Sequence, residues 1–168
     1  RFGVPTICDY VNYGDWLAEP RSPFYFEGER IYSRKILGNN LVVTVVDDDS
    51  ISDQQVYISK PLKDYGVRFY VGILGSKLIS FYVKKFHNEE DDAFPQIKSG
   101  QLKKIPLMEI DFSNPVDKAK HDTMVSLVDQ MLDLHKRKAA AKDDSETERY
   151  QRVIDSTDAQ IDALVYEL

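Results

Sequence analysis

The sequence predicts an α+β fold in two parts: a mixed or antiparallel sheet with packed helices over residues 1–112, then a long antiparallel helical hairpin over residues 113–168. Three observations predict it. Short β-branched runs alternate with turn residues in the first half, as strands do. Apolar side chains recur at helical spacing in the middle. The last third carries two coiled-coil-like apolar stripes joined by a short polar connection.

Three segments of the first half are predicted to be strands. Arg30 to Leu37 is the first, although neither of its alternating faces is cleanly apolar. A Gly-Asn-Asn turn at 38–40 leads to the β-branched run from Leu41 to Val46, which predicts a buried strand. The triple aspartate Asp47 to Asp49 ends that strand, and Val56 to Ser59 predicts a further short one.

The middle of the chain is predicted to be helical. Apolar and aromatic residues between Tyr65 and Phe86 recur every three or four positions, which indicates one or two helices, most clearly from Leu74 to Lys85. Gly72 and Gly75 would allow close packing within this region, although they lower its helix propensity. Leu102 to Ile105 is predicted to be a strand, with Pro106 at its edge.

Two long helices are predicted after residue 113. Asn114 followed by Pro115 is a typical N-cap with proline at the first helical position, and this helix should run to about Ala141. Ser145 is a candidate N-cap for the second helix. The narrow apolar stripes favour a protruding hairpin over helices packed on the domain. The stripes comprise Met124, Leu127, Met131 and Leu134, then Tyr150, Val153, Thr157, Ile161, Leu164 and Leu168.

The charge distribution limits the classes of function. The net charge is −6 and the sequence pI is about 5.1, which taken alone disfavours a nucleic-acid binder. Residues 60–104, however, hold nine Lys and Arg against five Asp and Glu, and four of those acids are contiguous, from Glu89 to Asp92. The sequence therefore permits a basic surface on an acidic body. Ordinary solvated surface charge is the alternative.

The sequence lacks the usual motifs of catalysis. It has no Gly-rich phosphate loop, no Gly-x-Ser-x-Gly turn, and no partner pattern for Cys8. The acidic runs at 47–49 and 89–92 lack the spacing of a Ca²⁺ loop, so solvated turns are the favoured interpretation. We therefore expect no catalytic residue, no metal site and no cofactor in this chain.

The expected setting is the cytoplasm, without a membrane partner. No apolar run approaches the roughly 20 residues that cross a bilayer, and no signal peptide is visible. The chain begins at Arg1 rather than Met, so we expect a piece of a longer polypeptide.

Four segments of the chain resemble a known family. They are YGDWLAEPR at 13–21, FEGERI at 26–31, LGSKLISFY at 74–82 and FPQIKSGQLKKIPL at 94–107. In combination they are similar to the TaqI-like C-terminal specificity domain of restriction–modification DNA methyltransferases. That domain is related to the target recognition domains of type I restriction specificity subunits.

The resemblance implies an α+β target recognition domain that binds double-stranded DNA, with the long helices as a spacer or homodimerisation element. In the parent enzyme, an upstream methyltransferase domain transfers a methyl group from S-adenosylmethionine to adenine N6. Some parents also carry a nuclease domain, for which Mg²⁺ would be a further cofactor. Neither catalytic domain matches anything in this chain, so the fragment itself should not catalyse a reaction.

Eight residues are candidates for contact with DNA. Arginine makes bidentate contacts to guanine and glutamine to adenine, so Arg34 and Gln101 are the candidate base readers. Cationic side chains hold phosphates without reading sequence. The candidates for phosphate contact are Arg21, Lys84, Lys85, Lys98, Lys103 and Lys104.

Two functions of other classes remain open at this stage. One is a protein-interaction domain whose hairpin binds a partner helix. The other is a metal-dependent nuclease domain that uses the acidic runs. Binding to random duplex at two salt concentrations tests the first, and cleavage with and without Mg²⁺ tests the second.

Overall fold

The computed structural model describes residues 13–61, 65–87 and 95–168. This part of the chain has the predicted α+β architecture: an antiparallel sheet, packed helices and a long helical hairpin. No helix in the described ranges is both long and apolar enough to cross a membrane. The strands are β1 (Arg30–Arg34), β2 (Val43–Val46) and β3 (Val56–Ser59), and the helices are α1 (Val67–Leu74), α2 (Lys77–His87), α3 (Ser99–Leu102), α4 (Pro115–Ala139) and α5 (Asp144–Glu167).

The sheet places β1 in the centre, in the order β2-β1-β3. Its register pairs Tyr32 with Thr44 on β2 and with Ile58 on β3. Alternate residues of a strand point to opposite faces, so Ile31 and Ser33 share one face. Both are buried, and this face packs against α1. The three strands therefore form a small sheet with one covered face and one partly open face.

The predicted strand at Leu102–Ile105 is wrong, because this stretch ends a short helix and continues as turns. The side-chain oxygen of Gln101 accepts the Lys98 backbone N–H at 2.7 Å, which caps α3 at its start. The Lys103 N–H donates to the Ser99 carbonyl at 3.1 Å. These local hydrogen bonds satisfy the backbone groups that a strand would have had to pair with a neighbour.

The predicted helical region between 65 and 86 contains two helices, divided at Gly75 and Ser76. Ser76 marks the break because its hydroxyl accepts the Ile79 N–H at 3.2 Å, as an N-cap does. Six of the eight residues of α1 are large side chains that are buried, so this helix is apolar on nearly every side. It forms the centre of the core between the sheet and the hairpin.

Both long helices begin at capped residues. The Asn114 side chain accepts the Val116 N–H at 3.0 Å, which confirms the predicted N-cap of α4. The N-cap of α5 is Asp143 rather than Ser145, since its carboxylate accepts the Glu146 N–H at 2.8 Å. An aspartate provides both the acceptor and a negative charge at the positive end of the helix.

The two long helices form the predicted antiparallel hairpin. Near the closed end, Lys138 Nζ donates to the Gln151 side-chain oxygen at 2.5 Å, and near the open end Lys120 Nζ donates to the Glu167 carbonyl. The predicted α4 stripe is buried. In α5, Ile154 occupies the seam that Val153 was expected to occupy, and Val153 is 39% exposed.

The hairpin does not protrude along its whole length, because its open end is packed on α1. A Cβ atom built on Gly72 would lie 2.3 Å from the sulfur of Met124, so the backbones of α1 and α4 approach closely there. Val128 lies beside the same glycine and is fully buried. The expectation of a free-standing hairpin therefore fails for its open end, whose apolar residues belong to the main core.

Two charged contacts reinforce this docking. The carboxylate of Asp162 in α5 accepts the backbone N–H of Lys77 at 2.8 Å, and the Lys77 ammonium lies 3.1 Å away. Arg68 of α1 binds both Glu29 and Asp129, the latter at 2.5 Å. Burial disfavours the charge on Arg68, but its hydrogen bonds to the two carboxylates outweigh this and raise its pKa.

Candidate nucleic-acid interface

A short two-stranded ribbon extends the sheet beyond the end of β1. Ile36 and Gln96 form an antiparallel bridge, and backbone hydrogen bonds of 2.8 and 3.0 Å flank it on either side. Residues 34–37 and 95–98 are called the ribbon below. This pairing brings the segment that carries α3 against the strand that carries Arg34.

Two predicted cations flank the Ile36–Gln96 bridge. Arg34 precedes Ile36 by two residues, and Lys98 follows Gln96 by two. Both side chains are exposed. Arg34 forms no ion pair within the described parts of the chain.

The two ends of the outer face of β1 differ in exposure. Arg30, at the other end of the strand, is fully buried. Its guanidinium donates to the carbonyls of Gly28, Asp48 and Ser50 at 3.0, 2.8 and 2.7 Å. The loop that holds Asp48 and Ser50 therefore covers the Arg30 end of this face. At the other end, Arg34 is exposed.

The acidic run at 47–49 is part of that closure. The Asp48 carboxylate accepts the Ser50 N–H at 2.9 Å and lies 3.7 Å from Arg30. Hydrogen bonds from Ser50, aided by the charge of Arg30, lower the pKa of Asp48 despite partial burial. Within the described residues no group of His, Cys, Asp and Glu is arranged to hold a metal ion. The second acidic run, 89–92, lies outside the described residues.

Arg21 is brought to the same end of the sheet by β3. Its guanidinium donates to the Ser52 hydroxyl at 3.2 Å, to the Asp53 carbonyl at 3.3 Å and to the Val56 carbonyl at 3.5 Å. Val56 is the cross-strand partner of Arg34. Arg21 thus holds the loop beside the ribbon, and a direct phosphate contact by Arg21 stays a prediction.

Helix α3 carries the remaining predicted residues of this region. Lys103 and Lys104 are exposed at its carboxyl end, and neither forms an ion pair within the described chain. Gln101 is half-buried, and its side-chain oxygen is engaged by the Lys98 N–H. A bidentate contact to adenine requires that oxygen, so reading by Gln101 would compete with the cap of α3.

Lys84 and Lys85 stand apart on α2. Both are exposed, one turn beyond Ser80, whose hydroxyl accepts the Leu41 N–H at 3.2 Å. That bond ties α2 to the chain leading into β2. Strand pairing and hydrogen bonds place Arg21 and Arg34 at one end of the sheet, and the Ile36–Gln96 bridge attaches there the segment that leads to Lys98 and α3. A separate element, α2, carries Lys84 and Lys85.

Two residues that were not predicted lie in the ribbon. Lys35 is half-buried, with its ammonium 5.0 Å from the centre of the Tyr57 ring. Gln96 is exposed on the bridge itself. No local pattern indicates either one, because their positions follow from pairing between segments that are distant in the chain.

Comparison with known proteins identifies the family of the chain. A search of curated proteins finds no match. The TaqI-like C-terminal specificity domain family matches residues 1–107, which include the sheet, α1, α2, the ribbon and α3. This match covers well over half of the 168 residues. The chain belongs to the TaqI-like C-terminal specificity domain family.

Proposed function

We propose that this chain recognises a DNA sequence and directs an adenine-N6 methyltransferase domain of a restriction–modification enzyme to it. The observation that carries the proposal is the set of exposed cations on the two segments that the Ile36–Gln96 bridge joins. Arg34, Lys103 and Lys104 lack carboxylate partners within the described residues, and Lys98 is exposed. Family membership supplies the restriction–modification context.

Each group in this surface has a chemical role in DNA binding. Arg34 projects from a paired strand, so its guanidinium can present a bidentate donor pair to guanine O6 and N7. Lysines on α3 and at Lys98 neutralise phosphates and hold the register of the protein on the duplex. The major groove of B-DNA admits paired β-structure, and the Ile36–Gln96 bridge supplies a short pairing next to Arg34.

The hairpin carries most of the net negative charge of the chain. Residues 116–168 hold twelve Asp and Glu against eight Lys and Arg. Repulsion from phosphates would keep the acidic hairpin off the duplex while the ribbon end approaches it. The hairpin would then act as a spacer, with homodimerisation as a further role.

The chemistry of methyl transfer would belong to the parent enzyme in the cytoplasm. S-adenosylmethionine would bind an upstream methyltransferase domain, and Mg²⁺ would serve a parent that also cleaves DNA. We assign no catalytic residue to this chain. This chain would select the DNA site, through side chains that project from a paired backbone.

Selection from a random duplex library tests the proposal. The chain is incubated with the library at low and at moderate salt, and bound DNA is sequenced. We expect one motif containing a guanine to be enriched, and affinity to fall as salt rises. A chain that binds no duplex at either salt concentration would contradict the proposal and favour a protein-interaction domain.

A further inference from the structure

Gln96 is an exposed glutamine on the ribbon. It lies at the centre of the ribbon, and its neighbour Ile97 is only 1% exposed. Because successive strand residues point to opposite faces, Gln96 points away from the core when Ile97 points into it. The backbone of Gln96 is held from both sides by the hydrogen bonds that flank the bridge.

Gln101 is less suited to this role because of its cap bond. Glutamine reads adenine with its oxygen and its NH₂ group together. The Gln101 oxygen already accepts the Lys98 N–H at 2.7 Å. Turning it to a base would leave the first turn of α3 without that cap. Within the described residues, the Gln96 side chain forms no hydrogen bond that reading a base would break.

The spacing between Gln96 and Arg34 suits two bases of one site. Gln96 is opposite Ile36, so Arg34 is its diagonal neighbour on the same face. Diagonal neighbours in a sheet lie about 7–8 Å apart. That separation corresponds to about two steps of 3.4 Å along a DNA strand.

We propose that Gln96 is a specificity-determining residue that reads an adenine within about two base steps of the guanine read by Arg34. This inference rests on the proposed function and refines it. Gln96 would set base preference, while the lysines of α3 set the affinity that all sequences share.

The test replaces Gln96 in the full chain and repeats the selection from a random duplex library. Gln96→Glu turns a reader of adenine into an acceptor suited to the cytosine amino group. We expect the preferred base at one position to change from adenine to cytosine. Gln96→Ala should lose about ten-fold or more of the discrimination at that position. Gln130→Ala, on the exposed surface of α4, is the matched control and should keep the wild-type motif.

The outcomes separate this inference from the proposed function. If Gln96→Glu binds duplex with the wild-type motif unchanged, the inference is overturned and the proposed function stands. The same holds if Gln101→Ala removes an adenine preference that Gln96→Glu retains. A wild-type chain that binds no duplex overturns both. Gln96 and Gln130 are exposed, so their variants should keep the wild-type circular dichroism spectrum.

Discussion

Two arginines of β1 show how strongly the surroundings decide the role of a residue. Arg30 and Arg34 lie on the same face of one strand. Arg30 is fully buried and donates to backbone carbonyls of its neighbouring loops, whereas Arg34 is exposed. Arg30 therefore stabilises the neighbouring loop, and Arg34 is a candidate to read a base. Both positions carry arginine, so the sequence does not distinguish the two roles.

The hydrogen bonds of Arg30 lead to a prediction about stability. Arg30→Ala leaves the carbonyls of Asp48 and Ser50 without their donors, so the free energy of unfolding should fall by about 3 kcal/mol. Arg34→Ala is the matched control and should change it by no more than about 0.5 kcal/mol. Urea denaturation followed by circular dichroism measures both. Equal losses in the two variants would refute the structural role of Arg30.

The folding stability should depend on pH through His135. Burial in α4, aided by the nearby charge of Lys138, lowers its pKa below the ordinary value of 6.5. The unfolded chain therefore binds the proton more readily than the folded chain. The stability that neutral His135 provides is complete above about pH 6.5 and is lost as the pH falls through the lowered pKa.

Measurement of the unfolding free energy between pH 7.5 and pH 5 checks this expectation. The wild type should lose more stability over that range than His135→Gln, which cannot titrate at this position. Parallel losses in the two proteins would show that other groups dominate.

At the scale of elements, α3 shows why short helices escape prediction. The sequence Leu-Lys-Lys-Ile at 102–105 has apolar residues at both ends, which suggested a strand. Ile105 is indeed buried, but a helical turn followed by further turns puts it there. The deciding bond joins the Gln101 side chain to the Lys98 N–H, and no periodicity of apolar residues reports such a bond.

The lysines of α3 should contribute affinity without contributing sequence preference. Replacing both Lys103 and Lys104 by alanine should weaken binding to every duplex and make the slope of log K against log salt shallower by about 2. Fluorescence anisotropy at several salt concentrations measures this slope. The control replaces Lys136 and Lys142 by alanine at the closed end of the hairpin, where both are exposed. A slope that changes equally in both double variants would place the DNA elsewhere.

At the scale of the whole molecule, the hairpin and the sheet share one core. Helix α1 packs on β2 on one side and on α4 on the other. Gly72 permits this arrangement, because any side chain at this position would meet Met124. Close packing at this point thereby fixes how α4 sits on α1.

This packing can be tested by substitution at Gly72. Gly72→Ala should lower the free energy of unfolding by about 1–3 kcal/mol, since the added methyl group overlaps a fully buried side chain. In combination with Met124→Ala, the total loss should be smaller than the sum of the two single losses, because the second change makes room for the first. Urea denaturation of the four proteins gives the coupling. Strict additivity would mean that α1 and α4 do not meet at this point.

The sequence by itself determined the class of fold, the cap at Asn114 and most of the apolar seam of the hairpin. These features depend on residues only a few positions apart, so local spacing and capping chemistry are sufficient to predict them. The tertiary structure alone decided that Gln96 lies beside Ile36 and that the open end of the hairpin packs on Gly72. Such contacts join distant segments of the chain, and they arise from burial and backbone pairing across the whole core.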